Sequence, residues 1–224
     1  MIKKTVGIMM LSLFICSISY AITIDGNFDD WAGVITKVED DQDMADSSGD
    51  IKMIQAFYEG ENLYLRMTVY GIITPTVDQT PAGMENRYYY HWILDTDEDI
   101  DTGYDNSEYE SNPTNVDPIG VDVIVMVGWK DGAPNGTEAY DALTEELFIE
   151  NFDYASGGDS MEAMIPIEAI GVSEGDSISL SAFQEGASND WQVDWLNPTT
   201  LEFMPTSVKS QGKITTTWAK LKID

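Results

Sequence analysis

The stretch LYLRMTVY, residues 63–70, decides the fold class because its apolar and polar residues alternate one by one. Successive side chains of a β-strand point to opposite faces, so Leu63, Leu65, Met67 and Val69 share one face. We predict that this face packs on a core. The stretch therefore predicts a strand of a half-buried antiparallel sheet.

Short apolar runs bounded by Gly, Asn, Asp and Pro recur along the rest of the chain, a pattern typical of strands joined by turns. The predicted strands are residues 51–58, 63–70, 88–94, 121–129, 146–149, 161–165, 177–183, 191–195 and 214–221. A short helix is predicted after Pro166 and ends at Gly171. This pattern predicts an all-β, two-sheet antiparallel β-sandwich, jelly-roll or immunoglobulin-like, with little helix.

The composition excludes one class of function and bounds the number of domains. The 224 residues include 40 Asp and Glu against 11 Lys and Arg, for a formal charge of −29. Such a charge excludes a nucleic-acid partner recognised through a basic surface and favours cations as partners. Because 43% of the residues are apolar and no linker or repeat divides the chain, residues 22–224 are predicted to form one domain.

Residues 1–21 are predicted to be a secretory signal peptide, which places the protein outside the cytoplasm, secreted or periplasmic. Lys3 and Lys4 precede an apolar run over residues 6–15, and Ser19 and Ala21 form a small-x-small cleavage site. The apolar run is too short to span a bilayer, so no membrane insertion is expected after cleavage. Lipidation at Cys16 is disfavoured by the bulky residue before it. The mature chain then has no cysteine, and bound metal becomes an attractive alternative to disulfides.

Two acidic runs are candidate cation sites, and neither contains Lys or Arg. One covers residues 39–50 and the other residues 95–110. In the second run we predict a calcium site, because calcium accepts six to eight oxygen ligands in loose geometry. The predicted ligands are Asp95, Asp97, Asp99, Asp101, Asp105 and Glu108. An EF-hand is rejected because Thr102 occupies its glycine position, and the alternative for either run is a solvated acidic loop without an ion.

Several catalytic classes lack the residues that they need. A thiol nucleophile, a multi-histidine zinc site and a C-x-x-C redox pair are excluded, because the mature chain offers no cysteine and only His91. A Ser/His/Asp triad would have to use His91, and no G-x-S-x-G motif accompanies it. A glycosidase needs only two carboxylates, so an enzyme acting on polysaccharide stays as the third alternative.

Aromatic residues suggest a sugar-binding surface. Trp129, Trp191 and Trp195 each lie at the end of a predicted strand beside turn residues, and Tyr89 points to the opposite face from its two neighbours. Flat rings beside polar side chains suit the faces of pyranose rings. These four residues are the predicted ligand contacts. The remaining tryptophans, Trp31, Trp92 and Trp218, are predicted to fill the sandwich core.

Five short motifs occur in an order that resembles one family. They are IDGNFDDW at residues 24–31, DIK at 50–52, ENLYL at 61–65, ILDTD at 93–97 with TG at 102–103, and AMIPI at 163–167. The set resembles the carbohydrate-binding module family 9-like, DOMON-related sandwiches. The resemblance implies a secreted β-sandwich that often carries calcium, with some members binding the ends of plant polysaccharides. Two relatives bind haem through Met with His or Lys, and here only His91 is available.

The opening motif also has a physical interpretation. Asp25 and Gly26 predict a tight turn, and Asp29 is predicted to cap a helical turn that places Trp31 on the end of the sandwich. The expected function is a secreted, non-catalytic, calcium-stabilised sandwich that binds polysaccharide or oligosaccharide. The alternative from another class is a structural or adhesive protein of the cell surface or extracellular space, without a sugar site.

Overall fold

The computed structural model describes residues 22–73, 87–108, 116–130, 133–187 and 192–204, and in these ranges the protein is all-β. The predicted signal peptide, the predicted strand 214–221, Trp191 and Trp218 lie outside the described residues. None of the helices in the described ranges has the length and apolar composition needed to cross a membrane.

Fourteen strands and three short 3-10 helices make up the described chain. The strands are β1 (Lys37–Glu39), β2 (Ile51–Glu59), β3 (Asn62–Val69), β4 (Arg87–Asp95), β5 (Tyr104–Asp105), β6 (Gly120–Val121), β7 (Val123–Lys130), β8 (Ala133–Asp141), β9 (Leu147–Glu150), β10 (Asp153–Gly157), β11 (Ser160–Pro166), β12 (Ser177–Ala187), β13 (Gln192–Trp195) and β14 (Thr199–Glu202). The 3-10 helices are Phe28–Gly33, Asn106–Glu108 and Ile167–Ile170.

Two antiparallel sheets form the sandwich, which confirms the predicted fold class. The smaller sheet has the strand order β1-β2-β3-β11-β10. The larger sheet has the order β13-β12-β4-β7-β8-β9, and β14 pairs with the other half of the edge of β12. A separate two-stranded sheet consists of β5 and β6, which come between β4 and β7 in the sequence.

The alternating residues that were predicted to face the core do so. Leu63, Leu65, Met67 and Val69 of β3 are fully buried in the main core. The facing strand β4 contributes its alternate residues to the same core, among them Trp92, which confirms that tryptophan as a core residue. Burying such side chains stabilises the fold by about 1.5–3 kcal/mol each, before the cost of ordering the chain.

Five strands of the described chain were not predicted, namely β1, β5, β8, β10 and β14. The sequences of β8 and β10 show why. Strand β8 has the sequence APNGTEAYD, whose Pro, Asn and Gly favour turns, yet it pairs along β7 with a register shift between Val127 and Trp129. Strand β10, DYASG, is short and lies at a sheet edge, where alternation is weak. Tertiary pairing overrides local propensity in both cases.

The predicted helix after Pro166 is present as a 3-10 helix, Ile167–Ile170. Gly171 ends it in the left-handed conformation, with φ of 74°, and its amide bonds back to the Glu168 carbonyl. Glycine adopts this conformation without the steric cost that a side chain brings.

The opening motif covers the outer face of the smaller sheet rather than filling the main core. Trp31 is fully buried against Ile22, Val34 and Tyr64, and Tyr64 faces outward because it alternates with the core residues of β3. The prediction that Trp31 is buried is confirmed, but its placement in the sandwich core is wrong. The prediction that Asp29 caps the helical turn is also wrong. The N-cap of this 3-10 helix is Asn27, whose side-chain oxygen accepts a hydrogen bond from the Asp29 amide at 3.3 Å.

One buried carboxylate holds this motif to the sheet. Glu162 of β11 is fully buried, and its Oε2 accepts a hydrogen bond from Trp31 Nε1 at 2.8 Å. Its Oε1 accepts the amides of Asp25 at 2.9 Å and Gly26 at 2.7 Å. Such charge-assisted bonds satisfy a buried carboxylate that would otherwise destabilise the fold.

Replacing Trp31 tests this attachment. We expect Trp31→Ala to lower the free energy of unfolding by about 3 kcal/mol or more, because it removes a large buried ring and one donor to Glu162. Trp31→Phe, which keeps an aromatic ring, is expected to cost less. Urea denaturation followed by circular dichroism measures both, and an unchanged midpoint for the alanine variant would contradict the assignment.

Candidate functional site

Three carboxylates come together where β4 ends and β7 begins. One oxygen from each of Asp95, Asp97 and Asp122 lies within 4.8 Å of the others. Asp95 is the last residue of β4, and the Asp122 amide bonds to the Leu94 carbonyl at 2.9 Å. The antiparallel pairing of β4 with β7 therefore brings Asp122 beside Asp95. The two residues are far apart in sequence, since Asp122 is 26 positions from Thr96, the residue that follows Asp95.

Asp95 is the buried member of this group, with 3% of its surface exposed. Its Oδ2 accepts the Gly120 amide at 3.3 Å, whereas Oδ1 is buried and has no hydrogen-bond partner of normal geometry. Burial raises the pKa of the Asp95 carboxyl, and the charges of Asp122 and Asp97 add to that rise, while the amides of Glu98 and Gly120 oppose it. A buried oxygen without a donor requires a proton, a water molecule or a cation.

Neighbouring threonines orient the other two carboxylates. Asp122 Oδ2 accepts both the amide and the hydroxyl of Thr96, each at 2.8 Å. Asp97 Oδ1 accepts the hydroxyl of Thr102 and the amide of Asp99, each at 3.0 Å. These bonds fix the carboxylate positions in the way that outer ligands support a metal site.

The other predicted ligands lie elsewhere in the acidic segment. The chain between β4 and β5 turns instead of extending, so alternation does not place the four aspartates on one side. Asp99 Oδ1 accepts the Asp101 amide at 3.0 Å, and Asp105 Oδ1 accepts the Ser107 amide at 2.8 Å. Asp101 is exposed, and the side chain of Glu108 lies outside the described part of the chain. Within the described residues, the carboxylate group thus contains two of the six predicted ligands.

Sequence reasoning missed Asp122. A local signal was present, because a single Asp interrupts the apolar run GVDVIVMV at residues 120–127. The predicted strand 121–129 is in fact interrupted at that residue, with β6 on one side and β7 on the other. Only the strand register, which the sequence does not show, reveals that this Asp lies opposite the end of β4.

An apolar cavity of about 170 Å³ lies next to this group, on the outer face of the larger sheet. The sheet contributes its floor, and the segment around β5 and β6 contributes a wall. The lining residues are Ile93, Tyr104, Asn106, Val121, Ile124, Ala142, Phe183 and Trp195. Most of these residues also form a second apolar cluster, separate from the main core.

A row of stacked rings includes Phe183 and Trp195 of the cavity lining and extends beyond the cavity along the same face of the sheet. The rings of His91 and Phe183 lie 4.0 Å apart and nearly parallel, and those of Phe183 and Trp195 lie 4.4 Å apart at 15°. Tyr89 continues the row at 6.5 Å from His91. His91, Phe183 and Trp195, on three adjacent strands, therefore form a continuous face-to-face stack.

The four predicted sugar contacts have different positions. Trp195 lines the cavity and is 4% exposed, and Tyr89 is half-buried on the same face of the sheet as His91. Trp129 lies in β7 opposite Tyr88, and its side chain is outside the described part of the chain. Trp191 is outside the described residues. Phe183, which sequence reasoning missed as a site residue, joins Trp195 to His91.

The cavity and the carboxylate group are built from the same pieces of chain. Ile93 and Asp95 lie two positions apart on β4, and Val121 immediately precedes Asp122. The segment that carries Asp97 also leads to Tyr104 in the cavity wall. Anything that fixes the carboxylates also fixes one side of the cavity.

Comparison with known proteins finds no matching family model, no matching curated protein and no matching solved structure. The site itself is therefore the basis on which a function can be inferred. It combines a partly buried group of three carboxylates with an apolar cavity floored by aromatic rings.

The buried histidine predicts a specific pH dependence of stability. Burial lowers the pKa of His91 to about 3, against 6.5 when it is unfolded, and its Nδ1 has no hydrogen-bond partner. The unfolded chain therefore takes up a proton at His91 between pH 6.5 and 3 that the folded chain does not. The stability that depends on the neutral ring is complete above pH 6.5 and falls as the pH falls towards 3.

His91→Phe isolates this effect, because phenylalanine keeps a ring in the stack and cannot titrate. Relative to the variant, the wild type is expected to lose about 1.4 kcal/mol per pH unit below pH 6.5. The measurement is the free energy of unfolding of both proteins at several pH values between 7 and about 4.5. The carboxyl groups contribute equally to both proteins, so their effects cancel in the difference between the two free energies of unfolding. Parallel pH profiles would contradict the assignment of His91 as buried and neutral.

Proposed function

We propose that this protein is a non-catalytic, calcium-stabilised β-sandwich that binds carbohydrate. The observation that carries the proposal is the buried Asp95 Oδ1, which has no hydrogen-bond partner and belongs to a group of three carboxylates beside an aromatic-lined cavity. The motif resemblance to family 9-like carbohydrate-binding modules and the signal-peptide pattern of residues 1–21 support the same function in an exported protein, secreted or periplasmic.

The carboxylate group fits calcium in its chemistry. Two like charges about 4 Å apart repel by about 1 kcal/mol even in water, and by more when partly buried. A hard divalent cation removes this repulsion and supplies the partner that Asp95 Oδ1 lacks. Calcium suits an all-oxygen group in a turn, because it accepts irregular geometry and backbone carbonyls, whereas magnesium demands a strict octahedron. Asp95, Asp97 and Asp122 would hold the ion.

The cavity fits a carbohydrate ligand in size and shape. A volume of about 170 Å³ suits one ring rather than a length of chain, so a terminal sugar residue is the ligand that we propose. The C–H face of a pyranose would pack on Trp195 and on the edge of Phe183, because the two faces of the Phe183 ring are covered by His91 and Trp195. Its hydroxyls would be directed to the mouth of the cavity. The carboxylate group would act indirectly, by holding the wall that carries Tyr104.

One observation favours the alternative of a structural or adhesive protein. Leu143, Leu147 and Phe148 are 63%, 51% and 40% exposed, and the last two lie in β9 at the edge of the larger sheet. Exposed apolar side chains on an edge strand favour pairing with another chain. In that case, glycan binding would be absent while the sandwich and its cation were retained.

Calcium is expected to raise the thermal midpoint of the full chain. After treatment with chelator, calcium added at about a hundredfold above its Kd should raise the midpoint by about 5 °C or more. Asp122→Asn should lose the part of that gain that this group supplies, because it removes one carboxylate of the group. Asp101→Asn is the matched control, since Asp101 is exposed and outside the group, and it should respond like the wild type. An equal response of both variants would exclude the proposed site.

A panel of soluble and insoluble glycans, tested with and without calcium, examines ligand binding. The wild type should be retained on at least one glycan, more strongly with calcium. Ala142→Phe is designed to fill the cavity and abolish retention, and Ala142→Ser leaves the space open and should bind normally. Failure to bind any glycan would favour the adhesive alternative, and release of reducing sugar or unsaturated product would establish an enzyme instead.

A further inference from the structure

A second group of buried polar side chains surrounds residues 49–51, where the first acidic run meets β2. Asp50 directly precedes β2, Gln184 lies in β12 and Asp194 lies in β13. Their exposed fractions are 0%, 0% and 5%. This group is apart from the carboxylate group described above, since Asp95 pairs with Ser179, five positions along β12 from Gln184. It is also on the opposite face of the larger sheet from the cavity, because Gln184 and Asp194 alternate with the cavity residues Phe183 and Trp195.

Several contacts bring Gln184, Asp194 and the backbone of residues 49–51 to one place, and the Asp50 carboxylate is near enough to help raise the pKa of Asp194. Gln184 and Asp194 are direct partners in the antiparallel pairing of β12 with β13, so their side chains share one face. Asp194 Oδ2 accepts the Ile51 amide at 2.6 Å, next to Asp50 in sequence. The Gln184 side chain lies against Gly49, where an added Cβ would be 2.5 Å from Gln184 Oε1. A side chain at position 49 would require this amide to move.

The unsatisfied atoms of this group point to a ligand. Asp50 Oδ1 and both side-chain amide atoms of Gln184, Oε1 and Nε2, are buried and have no hydrogen-bond partner. An unsatisfied buried polar atom costs about 1–3 kcal/mol, and such atoms are rare in folded proteins. Two of these three atoms are oxygens. Asp194 adds two carboxylate oxygens, which also accept the Ile51 and Trp195 amides.

Several carboxylates act on the electrostatics of this group. Burial raises the pKa of Asp50 to about 6 and that of Asp194 to about 7. The carboxylates of Asp43 and Asp40 add to both shifts. The run over residues 39–50 therefore surrounds the group with negative charge that a cation would neutralise.

The acidic run is held against the sandwich and is not a free solvated loop. The hydroxyl of Tyr88 donates to Asp46 Oδ2 at 2.6 Å, and that of Tyr90 donates to the Ser48 carbonyl at 2.8 Å. Both rings are fully buried in the main core. The position of residues 46–48 is thus set by core side chains, which makes the surroundings of Asp50 pre-organised.

We propose that Asp50, Gln184 and Asp194 form a second cation site, which takes calcium and pins the acidic run to the larger sheet. Two carboxylates and an amide carbonyl are hard oxygen ligands, and neighbouring backbone carbonyls can complete the coordination of this ion. An acid-base pair is a poorer interpretation, because a substrate has no access to side chains buried this deeply. The proposal is independent of the first site and of carbohydrate binding.

The first test is the calcium content of the full chain after equilibrium dialysis. The wild type is expected to hold a second calcium ion that Asp122→Asn retains, because that substitution affects the other group. Asp194→Asn keeps an oxygen that can accept the Ile51 amide, but it should weaken the second binding event at least about tenfold. Loss of calcium from Asp122→Asn alone, with Asp194→Asn unaffected, would overturn this site and leave the first one standing.

Two nearly isosteric variants of Gln184 separate a cation from a buried water. Gln184→Leu removes both unsatisfied amide atoms, and it should weaken calcium binding while leaving the chain folded in chelator. Gln184→Glu adds a third buried carboxylate, and it should lower the thermal midpoint in chelator and gain more from calcium than the wild type. If calcium shifts the midpoints of the wild type and of both variants equally, the group holds water and the proposal is wrong.

Discussion

The buried carboxylate is the constraint on which this structure depends, and Glu162 shows how the fold satisfies one. It lies in the smaller sheet with no exposed surface, and three donors from the opening motif surround it. These three hydrogen bonds connect the start of the described chain to β11. Asp95 and Asp50 are nearly as deeply buried, yet each has an oxygen with no donor. A buried carboxylate whose oxygens all have donors holds one part of the chain to another, whereas a buried carboxylate with an oxygen that lacks a donor is a candidate cation ligand.

The two candidate cation sites place the same chemistry at different ends of the larger sheet. One involves the turn after β4, and the other involves the acidic run before β2. A ligand that binds only the folded state stabilises it in proportion to the logarithm of its concentration over Kd. If the mature chain begins at residue 22, it has no cysteine for a disulfide, and cations would then stabilise its long connections.

The outer faces of the two sheets differ in a way that bears on function. The opening motif and Trp31 cover part of the smaller sheet's outer face, so that face is closed by the chain itself. The larger sheet carries a row of stacked rings whose covering segment leaves a cavity. Because that segment also carries Asp97, a cation bound there would act on the shape of the cavity through one piece of backbone. This arrangement favours the larger sheet as the ligand-binding side.

The sequence by itself determined the fold class, most strand positions, the short helix ended by Gly171, and the burial of Trp92. These follow from local periodicity and turn residues, which a chain displays without folding. Only the tertiary structure decided that β8 pairs through a Pro-Asn-Gly sequence, that Trp31 lies on an outer face, and that Asp122 joins Asp95. It also decided that Gln184 and Asp194 face each other. Each of these depends on strand register across distant parts of the chain, and register is set by the packing of the whole sandwich.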